Sequence, residues 1–104
     1  MEKIEIDLDY LRYPIFLCDV ETGELFTGIE SIDKNKNIKK LNKKIGSMYN
    51  NYYKYDSITQ RIYFDSDKYL KEKNNILKLI NELINELNKV NNGQYIVINR
   101  IKDL

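Results

Sequence analysis

The stretch KYLKEKNNILKLINELINELNKV, residues 68–90, decides the fold of this chain. Its apolar residues recur every three or four positions, as in an α-helix, and at about 100° per residue they cover about half of the helix circumference. They are Leu70, Ile76, Leu77, Leu79, Ile80, Leu83, Ile84, Leu87 and Val90. So wide an apolar arc predicts a helix that packs against both a sheet and a second helix. Ser66 is predicted to cap the N-terminus of this helix, and Gly93 to terminate it.

The segments on either side of this helix predict strands. After it, QYIVINRI at residues 94–101 is apolar on both faces, which is typical of a central strand. Before it, YYKYDSITQRIYFDS at residues 52–66 holds β-favouring aromatic residues around a polar centre. This pattern predicts a hairpin with arms Tyr52–Asp56 and Arg61–Phe64, joined by the loop SITQ.

A second helix is predicted within DKNKNIKKLNKKIGSMYNN, residues 33–51, and should end near Asn50 or Asn51. Its apolar residues are spaced three or four apart, and they are Ile38, Leu41, Ile45, Met48 and Tyr52. Four lysines lie on the opposite side, namely Lys36, Lys39, Lys40 and Lys43. Gly46 lowers helix propensity by about 1 kcal/mol relative to alanine, so this helix depends on packing.

The N-terminal third predicts three more strands. KIEIDL at residues 3–8 alternates apolar and acidic residues, as in a half-buried strand. A hairpin is expected from Ile15 to Ile29, with its turn at Gly23. The predicted order is therefore β-β-β-α-β-β-α-β in one domain of residues 1–104. The predicted class is α+β, with an antiparallel sheet of about four to six strands backed by two helices.

The composition argues against catalysis and metal binding. The 104 residues include no histidine and one cysteine, which excludes histidine acid–base catalysis, a structural zinc site and an intramolecular disulfide. No Gly-rich phosphate loop and no nucleophile elbow is present. We therefore expect a non-enzymatic protein with no catalytic residue, no metal and no cofactor. Cys18 lies in an apolar stretch and is expected to be buried.

The sequence predicts a cytoplasmic protein that does not contact membranes. The N-terminus MEKIEIDLDYL lacks the basic and apolar regions of a signal peptide, and no apolar run approaches the roughly 20 residues of a membrane span. A lone thiol suits a reducing compartment. Isoleucine, lysine, asparagine and tyrosine supply 51 residues and alanine is absent, which indicates an A/T-rich gene of a low-GC bacterium or its phage.

The near-neutral net charge of +1 hides two opposed blocks of charge. Residues 1–33 hold nine acidic and two basic residues, whereas residues 34–54 hold seven lysines and no acidic residue. In one interpretation the acidic hairpin presents carboxylates to a basic partner, and the partner-binding residues are Asp19, Glu21, Glu24, Glu30, Tyr53 and Tyr55. In another, a lysine face contacts nucleic acid through Lys36, Lys39, Lys40, Lys43 and Lys54. The alternatives are a solvated lysine face and acidic residues that pair internally with the lysine helix.

In character the chain resembles the small phage-encoded anti-CRISPR proteins. The resemblance rests on the 104-residue α+β build, the acidic stretch CDVETGELFTGIE and the lack of catalytic residues. It implies an inhibitor of a nucleic-acid-processing enzyme, with a Cas effector nuclease or its ribonucleoprotein complex as partner, in the host bacterial cytosol. Two other functions stay open from the residues: a small RNA- or single-stranded-DNA-binding protein, and an antitoxin or immunity protein.

Overall fold

A computed structural model describes residues 1–101 of the chain. These residues form four strands and three helices in an α+β arrangement. In order they are β1 (Glu2–Ile6), α1 (Glu30–Asp33), α2 (Lys36–Asn50), β2 (Tyr53–Asp56), β3 (Arg61–Phe64), α3 (Ser66–Lys89) and β4 (Tyr95–Asn99).

Helix α3 packs against both α2 and β4, so the prediction of two contact surfaces on this helix is confirmed. Its buried residues include Ile76, Leu83 and Leu87. The helix starts at Ser66, but its cap is Asp65, whose carboxylate accepts a hydrogen bond of 3.1 Å from the N–H of Lys68. The prediction of Ser66 as the cap is therefore wrong by one residue.

The predicted antiparallel sheet of about four to six strands is wrong. The structure has two separate two-stranded sheets: β1 pairs with β4 in parallel, and β2 pairs with β3 antiparallel. Strand β4 has a single partner and is not central. Its apolar outer face is left to solvent, with Ile96 exposed and Ile98 half-buried. The predicted hairpin of β2 and β3 is confirmed, except that its first arm begins at Tyr53 instead of Tyr52.

The hairpin predicted from Ile15 to Ile29 has its turn at Gly23 as expected, but it is far shorter than predicted and forms no strands. The segment makes one isolated antiparallel bridge, between Cys18 and Leu25, around a turn with Gly23 at a φ of 78°. Side chains take up the backbone groups that a longer hairpin would pair. The carboxylate of Asp33 accepts hydrogen bonds from the N–H groups of Thr27 and Gly28, at 2.9 and 3.0 Å.

Helix α2 binds the other end of this segment through its buried asparagine. The side-chain Oδ1 of Asn42 accepts a hydrogen bond of 2.7 Å from the Ile15 N–H, and its Nδ2 donates one of 3.3 Å to the Ile15 carbonyl. Both backbone groups of Ile15 are thereby paired with a side chain instead of a strand. Asn42 is the one polar residue in the buried core of residues 1–101.

Gly46 and Asn50, which lie one and two helical turns after Asn42 on α2, also contact this segment. A Cβ on Gly46 would lie 2.2 Å from Cδ1 of Tyr13, so only glycine lets the Tyr13 ring lie against the helix. One turn further, Oδ1 of Asn50 accepts a hydrogen bond of 2.8 Å from the Leu11 N–H. The close contact with Tyr13 explains why α2 has a glycine at position 46 in spite of its low helix propensity.

Aromatic residues fill the core where α2, α3 and the β2–β3 hairpin meet. Tyr52 is fully buried, and the Tyr69 ring lies 5.5 Å from it in an edge-to-face arrangement. Tyr49 is also buried, and burial raises its pKa well above the usual range. Burial, together with the nearby Glu72 carboxylate, raises the pKa of Tyr52 to about 12. The hydroxyl groups of these two tyrosines therefore stay protonated at neutral pH in the folded protein.

Asn42→Ala should lower the free energy of unfolding by about 2–5 kcal/mol, because it leaves two buried backbone groups of Ile15 unpaired at a cost of about 1–3 kcal/mol each. Chemical denaturation measures this. Asn37→Ala, at an exposed site on the same helix, is the control and should change stability little. A loss below 1 kcal/mol for Asn42→Ala would show that the segment is not bound by this contact.

Alkali should unfold the protein through its buried tyrosines. Because folding raises the pKa of Tyr52 from 10.0 to about 12, its contribution to stability is complete below pH 10 and is lost as the pH rises toward 12. Tyrosinate absorbance should therefore rise in two stages, the second coinciding with loss of circular dichroism. Tyr52→Phe should shift that second stage to higher pH. A single titration of all tyrosines near pH 10 with unchanged circular dichroism would contradict the burial of these hydroxyls.

Candidate functional site

The acidic turn around Gly23 uses part of its charge for its own structure. Oδ1 of Asp19 accepts hydrogen bonds from the N–H groups of Thr22 and Glu21, at 3.1 and 2.8 Å. These backbone hydrogen bonds hold the pKa of the Asp19 carboxyl below its usual range. Asp19 is exposed, yet its carboxylate already has two donors, so it is a turn-forming residue first.

Two other predicted partner-binding carboxylates form ion pairs with lysines of the basic block. Glu24 pairs with Lys39 on α2, and Glu30 pairs with Lys34 at 2.7 Å. The Glu30–Lys34 hydrogen bond lowers the pKa of the acid and raises that of the lysine. The two charge blocks thus meet at the surface, as in the alternative of internal pairing. Of the four predicted acidic residues, only Glu21 has a carboxylate that binds no other group within residues 1–101.

The predicted lysine face is divided between contact with this turn and exposure to solvent. Lys39 is half-buried against the turn, whereas Lys36, Lys40 and Lys43 are exposed and form no ion pair within the described chain. A surface groove of about 500 Å³ runs between the packed helices α2 and α3, with Lys40 on one side and Glu82 on the other. Exposed lysines above such a mixed groove form a weaker anion site than a uniformly basic cleft.

The tyrosine cluster divides between core and surface. Tyr52 belongs to the core, as its helical spacing predicts, and Tyr49 is also buried, while Tyr53 is half-buried and Tyr55 is 65% exposed. Tyr10, which the sequence did not single out, lies against Tyr53 with a ring-centroid distance of 4.4 Å.

The β2–β3 hairpin exposes apolar side chains on both of its faces. Opposing residues of an antiparallel pair share a face, so Tyr55 lies beside Ile62, and Lys54 lies beside Tyr63 on the other side. Ile62 is 54% exposed, Tyr63 is 52% exposed, and Ile58 in the connecting loop is 92% exposed. The base of the hairpin packs through Tyr53 and Phe64, but its outer half extends away from the body.

An aromatic pocket of about 440 Å³ lies at the base of the hairpin, next to the face that carries Tyr55 and Ile62. It is lined by Tyr49, Tyr53, Phe64, Ser66, Tyr69 and Leu70. Leu70, at its rim, is 62% exposed although it belongs to the predicted apolar arc of α3. The exposed apolar side chains on both faces of the hairpin, together with this pocket, are here called the hairpin surface.

Sequence reasoning identified Tyr53 and Tyr55 but missed Ile62, Tyr63 and Leu70. A signal for two of them was available, because the predicted arms and their four-residue loop place Tyr55 opposite Ile62 and Lys54 opposite Tyr63. No hydrogen bond, ion pair or ring contact within residues 1–101 joins the hairpin surface to the acidic turn. The predicted partner-binding residues therefore fall into two separate groups, one at the turn and one on the hairpin.

The described part of the chain offers few other reactive or metal-binding groups. Cys18 is buried, and burial raises the pKa of its thiol. Within residues 1–101 no three Cys, Asp or Glu side chains lie together so that they could bind a metal ion. None of the helices in this range combines the length and apolar character needed to cross a bilayer.

Comparison with protein-family models, curated proteins and solved structures finds no match for this chain.

Proposed function

We propose that this protein is a non-catalytic binding protein that inhibits a nucleic-acid-processing enzyme, and that the hairpin surface is its main contact with that enzyme. The observation that carries the proposal is the exposure of Tyr55, Ile62 and Tyr63 on two sides of a hairpin that pairs with no third strand in the part of the chain that the structure describes. A two-stranded hairpin is marginally stable in water by itself. A partner that covers its apolar side chains would stabilise it.

The residue types on the hairpin support a protein partner. Tyrosine and arginine are enriched among the residues that dominate binding energy. Here exposed Tyr63 and Arg61 share one face of the hairpin, and exposed Tyr55 lies on the other face. Apolar side chains on both faces and at Ile58 favour a concave partner surface, because a flat one would leave one face in water. A nuclease cleft has this shape.

The acidic turn is a second, smaller contact in this proposal. Glu21 is exposed and has no side-chain partner within residues 1–101, so it is free to meet a basic residue. For Glu24 and Glu30, a partner must compete with Lys39 and Lys34. The proposed partner is a Cas effector nuclease or its ribonucleoprotein complex in the host bacterial cytosol, and the support for it is the resemblance to anti-CRISPR proteins and the acidic N-terminal third.

The double change Tyr55→Ala with Ile62→Ala should weaken inhibition of a Cas effector by about tenfold or more, because it removes two adjacent apolar contacts. Cleavage assays over a panel of purified effectors first identify the one that the wild type inhibits. Binding to it is then measured for the double variant and for Ser57→Ala, an exposed change in the same hairpin.

The acidic contact is measured separately with Glu21→Gln, which should have a smaller effect. Circular dichroism checks that each variant is folded. If no effector is inhibited, or if the folded double variant inhibits as well as the wild type, the proposal is wrong.

A second function, binding of single-stranded RNA or DNA, has one structural observation in its favour. Tyr63 lies opposite Lys54, and Arg61, two residues before Tyr63 on the same face of the hairpin, lies opposite Asp56. An exposed ring with a cation on each side is the arrangement that stacks a base and contacts its phosphates. The lysines of α2 would extend such a site only as a separate patch.

If the lysines do bind nucleic acid, changing Lys36, Lys40 and Lys43 to glutamine should weaken binding and flatten its salt dependence. Each lost phosphate contact should reduce the slope of log K against log salt by about 0.7 for a single strand. Fluorescence anisotropy with a short labelled oligonucleotide measures the slope. Lys89→Gln, at an exposed site near the end of α3, is the control. Absence of binding at low salt would eliminate this function.

A further inference from the structure

Strand β1 has one open edge. In its parallel pairing with β4, the Glu2 N–H donates to the Gln94 carbonyl and the Ile6 carbonyl accepts from the Arg100 N–H. Backbone groups alternate sides along a strand, so Glu2, Ile4 and Ile6 face β4. The N–H and carbonyl groups of Lys3 and Glu5 therefore face the other edge, where no strand pairs with them in residues 1–101.

This open edge borders a groove. At Asp7 the edge is closed, because the Asp7 N–H donates a 3.2 Å hydrogen bond to the Pro14 carbonyl. Beyond that point the chain after Pro14 diverges from β1 and leaves a groove of about 380 Å³. The groove is lined by Lys3, Ile4, Glu5, Ile15, Phe16, Leu17 and Thr27. The Asn42–Ile15 hydrogen bonds fix its far wall to α2.

The walls of the groove offer both apolar surface and free backbone donors. Phe16 is 43% exposed and Leu17 is 50% exposed. Their N–H groups, like those of Lys3 and Glu5, have no hydrogen-bond partner in the described residues. Only a peptide backbone presents N–H and carbonyl groups at the strand repeat of about 6.8 Å per two residues. A nucleic acid strand has no such alternation of donors and acceptors.

The charges at the edge set the side-chain preference. Lys3 and Glu5 lie on the outer face of β1, opposite the buried Ile4 and Ile6. Glu5 already forms an ion pair of 2.9 Å with Arg100, whereas Lys3 is exposed and forms no ion pair in the described part of the chain. Opposite charges on directly facing strand residues are favourable. An acidic side chain opposite Lys3 therefore complements this edge.

We propose that the open edge of β1 binds an extended peptide segment of a protein partner as an added strand. The segment carries an acidic residue opposite Lys3 and apolar residues on either side of it, whose side chains lie beside Ile4 and Phe16. Addition of a strand to a sheet edge is a common mode of peptide recognition. The site is separate from the hairpin surface and does not rest on the proposed function.

A second copy of this chain fits the edge less well than a peptide does. If the second copy used its own β1, the chain around Pro14 of that copy would have to enter the groove as well, because it is hydrogen-bonded to β1. A single extended strand has no such attachment. A free peptide is therefore the occupant that the groove favours.

The test uses the full chain, labelled with ¹⁵N, and two blocked peptides, Ac-TVEVTS-NH2 and Ac-TVKVTS-NH2. The acidic peptide should shift the amide resonances of Lys3 and Glu5 and slow their hydrogen exchange. The basic peptide should bind about two- to fivefold more weakly, as expected for one cross-strand charge pair. Lys3→Glu should reverse this preference, and circular dichroism checks that the variant is folded.

Two controls separate strand addition from other binding. A peptide with the nitrogens of both valines and of the glutamate methylated lacks the central donors for either strand direction and should not bind. The proposal is overturned if millimolar acidic peptide leaves Lys3 and Glu5 unshifted, or if the shifts fall on the hairpin instead. It is also overturned if these amides become protected with rising protein concentration and no peptide, because a second copy would then be the occupant.

Discussion

The two hydrogen bonds between the Asn42 side chain and the backbone of Ile15 are the contact on which the rest of this structure depends. They pair both polar groups of a buried residue without a neighbouring strand, so the segment after Pro14 stays irregular. The segment then lies along α2, with Tyr13 against Gly46 and Leu11 bonded to Asn50. The open edge of β1 and the position of the acidic turn both follow from this contact.

The same arrangement changes how the two charge blocks relate to function. Because the turn around Gly23 lies on α2, part of its acidic charge is paired with lysines of the basic block, as in the Glu24–Lys39 pair. Exposed pairs of this kind contribute little to stability. They would matter for recognition instead, because a partner that binds one charge block would have to displace the other block from these ion pairs. Binding through uncharged side chains on the hairpin surface avoids this competition.

The hairpin and the open β1 edge share a physical cause. Each belongs to a sheet of only two strands, and neither sheet extends to the other, because the segment between Ile15 and Ile29 does not supply connecting strands. Small sheets leave a large fraction of their edges and faces uncovered. In this protein the uncovered parts are apolar or rich in unpaired backbone groups, which is why both are proposed as contacts.

The sequence by itself determined the local elements: that α2 and α3 are helices, that the chain around Ile4 and Ile6 is a strand, the hairpin of β2 and β3, and the core position of Tyr52. Helical and strand periodicity depend on residues a few positions apart, so one chain is enough to identify them. It also identified Tyr55 as a surface residue of the candidate site.

Only the tertiary structure decided which strands pair and which charges remain free. The β1–β4 pairing joins the two ends of the chain, and the burial of Asn42 depends on a residue 27 positions away. No periodicity distinguishes a buried asparagine from an exposed one in so asparagine-rich a sequence. Distant side chains compete for the same backbone groups, and the outcome depends on packing in three dimensions.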